Sequence, residues 1–252
     1  MDDLRFSKLF VCYIPGMDLR RVNTENTPYI TSLINSYPWV KIKTLPNTEL
    51  VPTLLTGVYP HEHGIWQVRL KSNQHSSLRQ KLINKLPDIL TTTFQCLIHL
   101  FNRSFDLAAI PSRRLRLFEL KRFKYTRRQK SREILFRIGG VESIFSIVGK
   151  DKSDYVFSKT FNELDRLLYK LCSRKHLLEF LELYSLDLIQ HWNLDKTSKI
   201  SEFYRGIDNF VKDLHEKCQD KNITLVILSD HGQEQVRGTL DIKRELKRLN
   251  LS

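Results

Sequence analysis

No two of the chain's four cysteines stand close enough to form a Cys-x-x-Cys pair. Cys12, Cys96, Cys172 and Cys218 are scattered, which argues against a cysteine-built zinc site and reads as separate buried thiols in a reducing compartment. Nowhere does the chain hold the roughly 18 consecutive apolar residues that suggest a membrane span. Its opening begins with Asp2 and Asp3, and its short apolar stretch runs into Pro15-Gly16, which is not the pattern of a secretory signal. The expected location is cytoplasmic. Internal repeats and low-complexity linkers are missing, and so is any recognisable nucleic-acid-binding motif. Acid is in short supply: 28 Asp and Glu stand against 41 Lys and Arg, a formal net charge of +13. That balance suits anionic partners such as phosphate esters, nucleotides or anionic head groups, and it is equally the mark of a soluble protein that is simply basic.

What is present suffices for one sizeable core. Hydrophobic residues make up 41% of the 252, and fourteen Phe, nine Tyr and three Trp argue against disorder. Residues 8–14, KLFVCYI, read as a buried parallel strand stopped by Pro15-Gly16. Residues 27–36 have helical spacing at Ile30, Leu33 and Ile34, with Thr27-Pro28 as N-cap and first helical residue. Residues 39–43, WVKIK, alternate as a strand does, and residues 51–57 form a short helix ending at Thr56-Gly57. Further on, 160–172 and 201–217 carry amphipathic helices, and 177–184 suits a strand ending near Tyr184. Residues 223–228, ITLVIL, are the clearest strand, with the continuous β-branched run of a central parallel one. The alternation predicts an α/β fold with a central, mostly parallel sheet, helices on both faces, and the strands at 8–14 and 223–228 as neighbours.

The middle of the chain breaks this pattern. Residues 79–137 lack clear strands; Leu90, Phe94, Leu97, Ile98 and Phe101 trace one helical face. Eleven basic residues lie between Arg113 and Arg137, interleaved with Leu115, Phe118, Phe123 and other apolar residues. We read a helical, basic insertion, about residues 79–150, as a cap on a single domain spanning 1–252. Its charge is a solvated helix face or a platform for an anionic surface.

Three segments carry chemistry. The strand at 223–228 delivers Ser229, Asp230, His231 and Gly232 onto its C-terminal edge, where open α/β sheets bind ligands. Asp230 and His231 can share a divalent metal through a carboxylate oxygen and an imidazole nitrogen, or the run is an ordinary turn. Asp187 and His191 follow the strand at 177–184, and a four-residue spacing puts them on one helical face. The third segment is residues 44–66, TLPNTELVPTLLTGVYPHEHGIW, with Thr56-Gly57, Pro60 and His63-Gly64-Ile65 in that order.

These three segments, in this order and each after a strand-like stretch, resemble the type I phosphodiesterase and nucleotide pyrophosphatase family of the alkaline phosphatase superfamily. The resemblance covers residues 8–66 and roughly 155–242. It implies a metal-dependent phosphoesterase with a phosphate-ester small molecule as substrate. It also implies two divalent ions, with zinc favoured and manganese or magnesium as alternatives. By analogy Asp230 and His231 bind one ion, shared with the nucleophile, and Asp187 and His191 bind the other. A Thr nucleophile attacks phosphorus, and water resolves the phospho-enzyme. Thr48 is the first candidate for that nucleophile. Thr44, which precedes Leu-Pro-Asn, is the second.

The pattern also departs from the family. Pro15 stands where the family's first strand ends in a metal-binding Asp, and Asp18 is the candidate substitute. The family's later metal-binding His has no counterpart beyond His231 in these residues. The alternative expectation is therefore an impaired or truncated relative that binds phosphate or a partner without turnover. Asp187, His191, Asp230, His231 and Asp18 are the expected metal ligands.

Overall fold

The computed structural model describes residues 8–43, 50–66, 69–71, 118–120, 136–138, 140–158, 168, 176–235, 240 and 242–249. Its centre is a four-stranded parallel sheet. β1 (Leu9–Tyr13) lies between β7 (Leu178–Leu183) and β8 (Thr224–Leu228), and β6 (Ser153–Ser158) flanks β7, giving the order β6-β7-β1-β8. Because all four run in parallel, their carboxyl ends share one edge of the sheet.

Helices cover both faces, as the alternation predicts. On one face α1 (Pro28–Ser36) and the 24-residue α6 (Thr197–Asp220) bury Ile30, Ile200, Tyr204, Ile207, Val211 and Leu214 against Phe10, Cys12 and Leu181. On the other, α2 (Leu50–Thr56) and α4 (Ile144–Val148) set Val51, Leu55 and Phe145 against Val11, Tyr13, Leu178 and Phe180. α3 (Pro60–His63) follows α2, and α5 (Ser185–Asn193) follows β7 directly. No described helix is long and apolar enough to cross a membrane.

The strand at 8–14 is where its apolar run puts it: in the interior of the sheet, with Phe10, Cys12 and Ile14 fully buried. Burial pushes the Cys12 thiol up to about 12, which keeps it inert. β7 is also interior, although two of its six residues are glutamates. Both are buried, Glu179 paired with Lys8 at 2.8 Å and Glu182 accepting from the Tyr155 hydroxyl. Such partners are what make a buried carboxylate tolerable.

Three expectations need correcting. β8 is an edge strand among the described residues, not a central one, and its apolar side chains are only half-buried. Residues 39–43 form no strand: Trp39, Val40 and Ile42 are exposed, so the alternation serves no sheet face. The middle of the chain does contain strands: β3 (Phe118–Leu120) pairs antiparallel with β2 (Arg69–Lys71), and β4 (Arg137–Ile138) pairs with β5 (Val141–Glu142). Thr27 is the N-cap of α1 and Pro28 opens the helix, as expected, but the Thr27 side chain makes no capping hydrogen bond. Its hydroxyl bonds Asn23, while Asp208 of α6 accepts from the N–H groups of Tyr29 and Ile30 at 3.0 and 2.8 Å. The helical face at 90–101 and most of the basic run lie outside the described residues. So does the expected helix at 160–172, apart from the buried Leu168.

Candidate metal centre

β7 ends at Leu183, and α5 begins almost at once, so Asp187 lies on its first turn and His191, four residues on, on its last. The Asp187 side chain is buried and the His191 side chain is 60% exposed, with His191 Nε2 3.5 Å from Asp187 Oδ2. Burial pushes the Asp187 carboxyl up, but the His191 imidazole, and behind it His231, outweigh burial and hold it below the usual carboxylate value.

Asp230 and His231 follow β8 on irregular backbone. Their orientation comes from elsewhere in the fold. The Tyr13 hydroxyl, from the last residue of β1, donates to Asp230 Oδ2 at 2.7 Å. The Gly16 N–H donates to Oδ1 at 3.0 Å, and the His231 N–H to the same oxygen at 2.9 Å. His231 Nε2 then lies 3.4 Å from Asp230 Oδ2.

Gly16 brings the two pairs together. Its N–H holds Asp230, and its carbonyl accepts from Gln190 Nε2 at 2.7 Å, three residues along α5 from Asp187. A Cβ on Gly16 would stand 3.1 Å from Asp187 Cα, Asp187 Oδ1 and Gln190 Nε2 alike. With φ at +78°, the position suits glycine on both counts. A second link is Gln233, whose side-chain amide donates to the Asp187 carboxylate. Asp187, His191, Asp230 and His231 therefore gather at the carboxyl edge of the sheet, despite their separation in sequence.

Asp18 is close by but otherwise engaged. Arg20 grips its carboxylate through Nε at 3.0 Å to Oδ1 and through a terminal nitrogen at 2.6 Å to Oδ2, and holds the carboxyl below the usual value. Arg20 also pairs with Glu234. The Asp18 N–H donates to the buried Tyr204 hydroxyl at 2.9 Å, and a Cβ on Gly232 would lie 2.4 Å from Asp18 Cγ. The residue locks the loop after β1 against the loop after β8. His63 is likewise committed: Nδ1 accepts the Ile65 N–H at 3.1 Å, which leaves the proton on Nε2, facing the Thr53 hydroxyl at 3.1 Å. Thr44 and Thr48 lie outside the described residues.

The donor spacing tests whether these residues suit metal ions. Two donors about 2.1 Å from a tetrahedral ion stand about 3.4 Å apart. The Nε2–Oδ2 separations of 3.5 and 3.4 Å match that spacing, and both exceed the usual 2.7–3.2 Å of an N–H···O hydrogen bond. Each pair thus has the shape of two corners of a coordination shell. Among the described residues, no group of three or more His, Cys, Asp or Glu completes one.

Tyr13, Gly16 and Gln233 are the site residues that sequence reasoning missed. Only Gly16 left a trace, as the glycine of the break after β1. A search of curated proteins finds no match to the chain. The family model described as type I phosphodiesterase / nucleotide pyrophosphatase matches residues 16–250, running through the basic middle that the motif resemblance left out. With these motifs at the carboxyl edge of a parallel sheet and a match over nearly its whole length, the chain belongs to the type I phosphodiesterase / nucleotide pyrophosphatase family, within the alkaline phosphatase superfamily.

Proposed function

We propose that the chain is a metal-dependent phosphoesterase of the phosphodiesterase and nucleotide pyrophosphatase kind, acting on a small phosphate ester. In this reading Asp187 and His191 hold one divalent ion, and Asp230 and His231 hold the other. The observation that supports it most is the meeting of the two Asp–His pairs across Gly16, each at tetrahedral donor spacing. When bound, zinc, or manganese or magnesium in its place, would supply positive charge against the phosphoryl oxygens and acidify a nearby hydroxyl.

The chain's own residues would do the rest. Asp187 and Asp230 present one carboxylate oxygen each, Oδ2, toward their histidines; protein donors fix the Oδ1 of both, and the Tyr13 hydroxyl also orients Oδ2 of Asp230. The hydroxyl oxygen of Thr48, with Thr44 as second candidate, bonds phosphorus as the P–O bond to the leaving alcohol breaks; water then cleaves the phospho-threonine. The role of these two threonines rests on sequence alone. Asp18 would join a metal shell only by leaving Arg20, so its proposed part is to hold the loop.

One observation favours a second reading, a family member that binds phosphate or a partner with little or no turnover: the described residues supply two donors per ion where catalytic sites commonly supply three. Hydrolysis of an aryl phosphodiester, before and after chelation and with each ion restored, separates the two. Slow turnover that stops on chelation and in Asp230→Asn supports the phosphoesterase. Ion binding without turnover supports the second reading, and turnover indifferent to chelator and to Asp230→Asn overturns both.

A further inference from the structure

We propose that Gln233 is a positioning residue, which sets the Asp187 carboxylate for ion binding from the loop that carries the other Asp–His pair. The inference rests on the metal reading of the site. Gln233 lies three residues past Asp230, yet its side-chain amide reaches across to α5. There it donates to Asp187 Oδ1 and, at 3.3 Å, to the Asp187 backbone carbonyl. Asp187 Oδ2 is the oxygen that faces His191. The amide thus pins one carboxylate oxygen and leaves the other turned to the histidine. Asp230 is arranged in a related way: its Oδ1 is held by the N–H groups of Gly16 and His231, while its Oδ2, which faces His231 Nε2, also accepts from the Tyr13 hydroxyl.

A primary amide suits this task. It donates without bringing a charge, so Asp187 keeps its full negative charge for an ion. A lysine here would neutralise it, and a glutamate would repel it. The side chain also has to be this long, because it spans from the loop after β8 to the first turn of α5. Hydrogen-bond partners of this kind, one step out from a ligating side chain, typically govern about 10–100-fold in metal affinity.

The test is calorimetric titration of the full chain with zinc alone, on the wild type, Gln233→Met, Gln233→Glu and Asp187→Asn. Gln233→Met keeps the length and removes the donor. It is expected to weaken the ion at Asp187 and His191 about tenfold or more, leaving the ion at Asp230 and His231 unchanged. Gln233→Glu should weaken the same ion further. Combining Gln233→Met with Asp187→Asn should add nothing to the loss from Asp187→Asn alone, the signature of two groups acting through one contact. A merely structural role would lower thermal stability and weaken both ions together. Should Gln233→Met fail to fold, Gln233→Asn retains the amide on a shorter arm and carries the same expectation. Two unchanged ions in a folded variant, or equal loss at both, overturns the proposal while leaving the metal site intact. A wild type that takes up no zinc overturns the metal reading itself, and this inference with it.

Discussion

The two Asp–His pairs reach a similar donor spacing by opposite means. Asp187 and His191 are set by local geometry: one turn of α5 fixes their relation, and burial beneath the helix start fixes the carboxylate. Asp230 and His231 are neighbours on irregular backbone, where no local repeat fixes them, and their geometry is imposed by Tyr13 and Gly16 from more than 200 residues earlier. The first pair should therefore withstand change in the surrounding fold and the second should not, except where Gly16 and Gln233 tie the two together.

Gly16→Ala attacks the shared element and should have the largest effect. A non-glycine residue held at this φ costs about 1–3 kcal/mol in backbone strain alone, and the new methyl meets Asp187 and Gln190 at 3.1 Å. Denaturant unfolding should show the stability loss, and zinc titration should show both ions weakened. An unchanged midpoint would mean that the loop has freedom the comparison denies it.

Asp230→Asn separates the pairs. It removes a proposed ligand while leaving an oxygen to accept from Gly16 and His231. Zinc affinity at this pair should fall on the order of 100-fold or more, with stability changed by less than about 1.5 kcal/mol. Unaltered zinc binding by the folded variant would contradict the assignment. Tyr13→Phe is the milder form of the same cut: it deletes the hydroxyl that orients Asp230 and should cost about tenfold at Asp230 and His231, with nothing lost at Asp187 and His191. Equal loss at both would show that the second pair does not depend on distant support in the way described.

The smallest effect belongs to His63, whose ring contacts the Thr53 hydroxyl and the Ile65 N–H. Burial holds its imidazole below the ordinary 6.5. As pH falls, the unfolded chain takes up that proton first. The stability His63 contributes is therefore fully present above pH 6.5 and is lost as pH drops through the lower folded value. Thermal unfolding at pH 7.5 and pH 5 should show a flatter pH dependence in His63→Gln than in the wild type. Identical slopes would mean that His63 does not titrate in this range.

Much of the sheet was legible because residues 8–14 and 223–228 are nearly continuous apolar runs and 177–184 is apolar apart from two glutamates; all three form strands, and the first and last are neighbours. Local pattern could not tell where in the sheet a strand lies, and the most strand-like run is an edge strand among the described residues. WVKIK misled for a related reason, since alternation predicts a strand only when something covers one face. Three-residue strands at 69–71 and 118–120 are too short to give a periodic signal. At the site, the two Asp–His pairs could be read because each is contiguous or one helical turn apart. Their supports could not, because Tyr13, Gln233 and the Asp208 cap on α1 act across long sequence distances, and no local spacing encodes such a contact.

Anomalous diffraction from zinc-soaked crystals of the full chain tests the central claim most directly. The account predicts zinc peaks between His191 Nε2 and Asp187 Oδ2 and between His231 Nε2 and Asp230 Oδ2, with Asp18 still held by Arg20. Zinc bound only elsewhere, or no zinc at either pair, would contradict it.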